Sequence, residues 1–307
     1  MKKSEVDIVE RTKNYNKNHC WQYDIRVNNL EQDIKESGVD PLQISKLTVS
    51  DFYYKNLTTE QDRKEATIFI ERHEWLGKLS QYITHWFGAY YHDPHQGLMG
   101  KDILAGVIIM NVPNAFSKLL GENTKNIERL ISRGACISWS PKNLASSFLM
   151  WAIGWMVKNT EYRLFTAYSD PTAKEIGTIY QACNFYYLGN EKGTKKVYVN
   201  PYTGKIVSDR FFRRRSAYKR YAKELAIVWD KTWSDSRGMN WDNIPETVKT
   251  ELKSYSKLKL SQAISFDVPS KHKYAYVLGA NKTETKILRK DFELHNKILP
   301  YPKRHYE

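Results

Sequence analysis

The sequence predicts a mixed α/β fold carrying a basic helical insertion. Between residues 44 and 200, apolar spacing switches between strand and helix periods in the order β-α-β-β-β-α-β-α-β. The early strands follow one another as a meander, whereas the later ones are separated by helical stretches long enough to be crossovers, which join parallel strands of one sheet. Beyond residue 204 the alternation gives way to a run dense in arginine and lysine.

Residues 1–43 are polar and read as an N-terminal extension. Ile44–Phe52 alternates and is β-branched, which predicts a strand. Thr59–Leu79 reads as a helix and loop. Trp86–Tyr91 and Ile103–Val112 read as strands joined through the turn-rich HDPHQGLMGKD. Ile127–Trp139 is a further strand. It runs into Ser140-Pro141, a serine cap with proline at the first helical position, so a helix is expected to about Asn159. Tyr162–Tyr168 is a strand closed by the turn Ser169-Asp170-Pro171, and Lys174–Tyr187 reads as a helix. Lys195–Asn200 and Lys205–Val207 form a strand pair. Residues 205–260 read as the basic helical insertion, and residues 261–307 return to complete the core, which spans 44–204, with a last strand at Tyr274–Leu278.

The 307 residues carry 48 Lys and Arg against 34 Asp and Glu, a formal charge of +14, so an acidic partner such as nucleic acid is expected. Gly204–Lys223 concentrates this charge: Arg210, Arg213, Arg214, Arg215, Lys219 and Arg220 are interleaved with Phe211, Phe212, Tyr218 and Tyr221. Basic heads neutralise phosphates while rings stack on bases or anchor a helix. A solvated amphipathic face, its arginines paired with Glu224 or Asp230, is the competing reading. Three scattered cysteines do not make a disulfide framework and suit a reducing cytoplasm. The most apolar stretch, Leu144–Val157, has 14 residues, too few to span a bilayer, so no membrane role is expected.

Ligands of open α/β sheets bind beyond the carboxyl ends of parallel strands. Here those ends are Ser138–Asn143 and Ser169–Pro171. The first opens a helix whose free N–H groups suit an anion, with Ser138, Ser140, Asn143, Ser146 and Ser147 in or after the turn. Ser140 equally serves as a plain cap, and the paired serines as close packing. Asp170 at the second end is placed to orient or deprotonate an amine, and Tyr180 on the next helix to donate a proton. Turn formation and core packing are their ordinary alternatives. His73 is a further candidate. His92 and His95 have metal-ligand spacing but lie in a glycine-rich loop without a cysteine partner, so no metal is expected. Walker A, dinucleotide-binding and G-x-S-x-G motifs are absent, which excludes the enzymes built on them.

The order of elements resembles the GNAT acyltransferase fold, and Ile179–Phe185 resembles its L-Y-x-x-x-G-F helix, with Asn184 in place of glycine. The similarity is closer to the phage Mom-like DNA modification proteins. Ser140–Phe148 resembles their P-x-N-x-x-S-x-F start. Tyr168-Ser169-Asp170 with Gly177–Phe185 and Gly189 resembles Y-A-D…G-x-I-Y-Q-A-x-N-W…G. Pro269–Tyr274 and Pro300–Lys303 resemble P-x-K-x-R-Y and P-Y-P-K, and His73 falls near an R-H-H-Y segment from which Glu74 and Trp75 depart.

The resemblance implies a GNAT-like sheet with splayed parallel strands. It implies a transferase that modifies the adenine N6 amino group in double-stranded DNA, giving a methylcarbamoyl (acetamido) adenine that blocks restriction. A small-molecule donor is implied too, acetyl-CoA or a related acyl donor, although the usual acetyl-CoA loop Q/R-x-x-G-x-G/A is replaced by Trp139–Leu144. Two alternatives remain open: an acyl-CoA N-acyltransferase acting on a protein, tRNA or small amine, and a non-enzymatic DNA-binding protein with a degenerate GNAT core.

Overall fold

The computed structural model describes residues 20–303, apart from 80, 81, 114, 122, 123, 191–193, 203, 205 and 237. The expected N-terminal extension therefore lies outside the described residues up to position 19, as does Lys205 of the expected strand pair. The chain forms two compact units, one built from residues 1–191 and 271–307, the other from 192–270. The unit boundaries fall at 191/192 and 270/271.

The first unit begins with α1 (Trp21–Ser37), α2 (Pro41–Ile44), β1 (Phe52–Asn56), α3 (Glu60–His73), β2 (Ile83–Asp93) and β3 (Lys101–Asn111). It continues with β4 (Glu128–Cys136), α4 (Leu144–Asn159), β5 (Leu164–Ser169), α5 (Thr178–Ala182) and β6 (Tyr186–Tyr187). The second unit holds β7 (Thr194–Val199), β8 (Ile206–Val207), α6 (Arg215–Glu224), α7 (Glu246–Gln262) and β9 (Ser265–Pro269). The chain then returns to the first unit with β10 (His272–Val277) and α8 (Lys282–His295).

Local chemistry accounts for the departures from the sequence reading. The expected strand at 44–52 is a turn of helix and a 3-10 turn, and the strand starts only at Phe52. Asp40 caps Pro41–Ile44 by accepting from the Leu42 N–H. Thr48 and Asp51 cap each other reciprocally over the 3-10 turn, so side chains capture the donors a strand would need. The expected helix over 174–187 shortens to α5. Gly177 and Asn184 bound it in left-handed conformations, φ 70° and 56°, and β6 follows. Asparagine tolerates that conformation better than other non-glycine residues, which explains its place where the GNAT pattern has glycine. α1 lies inside the expected polar extension, yet its Leu30 joins Val39, Ile44, Phe69, Ile70 and Trp139 in one core cluster.

The sheet of the first unit has the order β1-β2-β3-β4-β5-β10-β6. Only β4 and β5 pair in parallel among its described neighbours. Alternate residues of the central strands enter opposite core clusters: Val107 and Ile109 pack with α1 and α3, Ile108 and Met110 with Phe148, Leu149 and Ile153 of α4. Pairing of β4 with β5 stops at Ile131–Ala167, although β4 runs on to Cys136 and β5 to Ser169. The β3–β4 ladder shifts register at the same place, leaving Ser132 as an extra residue between Ile131 and Arg133. Such a bulge bends a strand and re-aims its side chains. The two parallel strands consequently splay, as expected for a GNAT-like sheet.

The second unit is a three-stranded sheet, β8-β7-β9, with a helical cluster in which Ala217, Tyr218, Tyr221 and Ala222 of α6 pack on Leu252 of α7.

Candidate active site

A cavity of about 270 Å³ opens in the splay. Its walls come from β4 (Ile131–Cys136), the end of β5 (Tyr168–Asp170), α5 and the residues before it, the start of α1, and the exit of α3 at Glu74–Leu76. The bulge and the lost pairing thus create the space, and polar side chains from four distant stretches enter it.

Three carboxyl groups meet there: Glu74, Asp170 and Glu175. Asp170 is buried. It caps the turn at Pro171–Ala173, its Oδ1 accepting from the Thr172 N–H at 3.1 Å and from the Thr172 hydroxyl at 2.5 Å, and its Oδ2 lies 3.3 Å from Lys271 Nζ. Glu74 accepts from the N–H groups of Leu76 and Gly77 at 3.0 and 2.9 Å, with Arg133 Nε 3.9 Å away. Burial raises its carboxyl above the usual range against those partners. Burial pushes Glu175 further, up to about 7. The Glu74 and Asp170 charges add to the rise, and the Asp170 N–H and the Trp75 side chain offset part of it. Tyr180 is held well above the ordinary phenol range by burial, then by the Glu175 and Glu74 charges, so it keeps its proton. Cys136 also lines the cavity, but burial pushes its thiol up to about 11, which leaves it a poor nucleophile.

Of the residues singled out in the sequence, Asp170 and Tyr180 share this cavity. His73 does not line it. Its Nδ1 faces the Phe69 carbonyl at 3.0 Å and its Nε2 lies 3.1 Å from Asp33, and the side chain is buried. Asp33 also takes a hydrogen bond from the Ser138 N–H at 3.1 Å, another from the Ser138 hydroxyl, and an ion pair from Arg72. Burial works against the Asp33 charge, but the bonds from His73 and Ser138 prevail and hold it below the usual carboxylate range. The cluster clamps α1 and α3 onto the end of β4.

The serines of the expected anion turn are rearranged too. Ser138 is fully buried against Asp33, and Ser140 is buried with no hydrogen bond to its Oγ among the described residues, so neither faces a ligand at the turn. Ser140 is not the helix cap either: α4 begins after Asn143, which holds φ 70°. Asn143 is exposed, Ser146 Oγ donates to the Asn143 carbonyl at 3.0 Å, and Ser147 Oγ accepts from the Tyr54 hydroxyl at 3.1 Å. Asn143 and the backbone of the first turn remain suited to an anionic donor, so the residues fit a donor only in part.

The motif residues converge. Tyr274 donates to the Ile176 carbonyl at 2.5 Å beneath Gly177, where an added Cβ would meet its ring at 2.4 Å. Only glycine accepts both that contact and the positive φ. Tyr301 donates to the Phe185 carbonyl at 2.7 Å, tying the P-Y-P-K ending beside α5. Lys271, from the P-x-K-x-R-Y segment, meets Asp170. The motif order could have revealed Lys271. Glu74, Trp75, Arg133 and Glu175 carried no comparable signal.

In the second unit, Arg210, Arg213, Arg214, Arg215 and Lys219 are exposed. Arg213 pairs with Asp209, Arg214 lies 4.4 Å from the Phe211 ring, and Arg215 donates to the Asp235 carbonyl at 2.5 Å. Lys219 lies 5.6 Å from the Trp229 ring, and Arg220 stacks 4.0 Å from Tyr202. Glu224 is engaged by Lys259 at 2.9 Å and Asp230 caps its own turn, so no described ion pair ties the three arginines to those two acids.

The splayed mixed sheet and its carboxylate-lined cavity define a GNAT-like α/β protein with a candidate ligand site. Comparison with known families takes the assignment one step further: residues 56–303 match the Mom protein family, and the chain belongs to it. A solved structure assigned as a phosphinothricin N-acetyltransferase is similar over 50% of this chain and 91% of its own, at 16% identity and a TM-score of 0.30. A search of curated proteins finds no significant match.

Proposed function

We propose that the protein is a DNA-modifying transferase acting on the N6 amino group of adenine in double-stranded DNA. The product would be a methylcarbamoyl (acetamido) adenine that protects the DNA from restriction, formed in the cytoplasm of the host cell. The observation that carries the reading is the cavity: Asp170 and Tyr180, from the segments that resemble the Mom-like motifs, share it in a chain belonging to the Mom family. The target base is flipped out of its stack to reach such a site. Asp170 orients the amino group, and Tyr180, with its proton retained, donates to the leaving group. Ser169 supports ligand binding there: it lines the cavity, is buried, and its Oγ has no hydrogen-bond partner among the described residues. His73 and Ser138 position the site through Asp33 instead of touching substrate.

The donor is a small molecule, acetyl-CoA or a related acyl donor, with Asn143, Ser146, Ser147 and the start of α4 as its anion contacts and Ser140 as support behind them. Arg210, Arg213, Arg214, Arg215, Lys219 and Arg220 hold the DNA backbone. Mass spectrometry of nucleosides from cells with and without the gene tests the reading. A new adenine nucleoside that appears only with the gene supports it, and unchanged nucleosides refute it.

A further inference from the structure

Glu175 is a titratable group in the cavity that none of the sequence motifs singles out, and its surroundings are specific. It follows the turn capped by Asp170, and its N–H donates to the Asp170 carbonyl at 3.2 Å. Glu74 at the exit of α3, Asp170 at the end of β5, Arg133 on β4, Tyr180 on α5 and Lys271 before β10 share its cavity wall, and Cys20, Tyr23, Arg26, Cys136 and Tyr168 complete the titratable and charged lining. Lys271 is engaged by Asp170 and Arg133 lies by Glu74. Asp170 is doubly bonded to Thr172 through one oxygen and ion-paired through the other, and Glu74 is held by two backbone donors. Asp170 and Glu74 thus each face a cation, whereas Glu175, which accepts from the Asp170 N–H and the Trp75 side chain, has no ion pair among the described residues.

We propose that Glu175 is the general base that removes the proton from the attacking amino group, a proposal that rests on the functional reading above. An aromatic amino group is weakly basic and must lose a proton as its nitrogen bonds to carbon. The nitrogen lone pair forms the bond to the electrophilic carbon of the donor, which carries the transferred group on a leaving atom. The amino proton passes to the Glu175 carboxylate, the bond from that carbon to the leaving atom breaks, and the leaving group departs with the bonding pair and takes the Tyr180 proton. Solvent then deprotonates Glu175 and reprotonates Tyr180. A carboxyl raised to about 7 has a basicity suited to this role near neutral pH. Asp170 remains the group that orients the amine.

The full-length protein, a duplex DNA and clarified cell extract as the donor source, buffered from pH 6 to 9, provide the assay, with the modified nucleoside counted by mass spectrometry. Wild-type rate should rise with pH through about 7. Glu175→Gln should lower the rate on the order of 10²-fold or more and lose that rising limb, with DNA affinity unchanged. Glu175→Asp should keep a limb, displaced to lower pH. A Gln variant with the wild-type rate and limb overturns the assignment. If the Gln variant melts before assay, the Asp variant decides: a displaced limb supports the proposal and an unmoved one overturns it. Wild-type protein that makes no modified nucleoside overturns the functional reading itself, and the base with it.

Discussion

The cavity of the first unit and the basic surface of the second use charge in opposite ways. In the cavity, acids and bases of both signs are mixed, mostly removed from water, and bonded to named partners. Those surroundings shift the Glu74, Glu175 and Tyr180 equilibria. In residues 192–270, seventeen Lys and Arg face eight Asp and Glu, and the arginine run is exposed. Exposed charges of one sign attract a polyanion over a distance and are screened by salt, whereas buried mixed charges set protonation states. On the proposed reading, the cavity carries the chemistry and the basic surface the DNA affinity, and each can be perturbed alone.

The largest effect is expected in the cavity. Asp170→Asn keeps an acceptor for the Thr172 cap but removes the charge, and Tyr180→Phe removes the donor proton. Each should reduce modification by about 10²–10⁴-fold while DNA affinity stays near wild type. Equal loss of affinity would break the separation. Next is the clamp behind the cavity. Asp33→Ala leaves His73 and Ser138 facing each other without the carboxylate, and should cost about 3–5 kcal/mol in a denaturant melt. Because the folded Asp33 holds its proton less tightly than an unfolded one, this contribution is present above the ordinary aspartate range and is lost as pH falls through the folded value.

How much of this was legible in the sequence follows the same divide. Asp170, Gly177 and Tyr180 could be read because motif and strand end coincide, and the parallel β4–β5 pair follows from its crossover helix. The basic run was legible as composition. Glu175 was not, because its basicity comes from burial and from the charge of Glu74, a hundred residues away in sequence. The EQDIKESG stretch reads as a helix end, but the packing of α1 into the core was not legible because two of its four buried residues, Asp33 and Ser37, are polar. The engagement of Ser138 was not legible either, because the aspartate that claims it sits on α1, a hundred residues away in sequence.

Two smaller effects sharpen the comparison. Replacing Arg213, Arg214 and Arg215 with alanine should lower the slope of log affinity against log salt by about 2.7, at about 0.9 per phosphate contact. Exposed pairs such as Arg213–Asp209 contribute little, so the melt should shift by less than about 1 kcal/mol. An unchanged slope with a large loss of stability would assign the arginines to the fold. Glu175→Gln should stabilise the protein at pH 8 but not at pH 4. The folded carboxyl binds its proton more tightly than an unfolded one, so wild-type stability falls as pH rises from the usual glutamate range to about 7. The gain, read from melts at both pH values, should be on the order of 3 kcal/mol.

The separation of chemistry from binding is tested most directly by the nucleoside composition of DNA from cells expressing wild-type protein, Asp170→Asn or the triple arginine variant at matched levels. A modified adenine nucleoside should be present with wild type, absent with Asp170→Asn, and reduced but chemically identical with the arginine variant. Undiminished modification by Asp170→Asn would contradict the account.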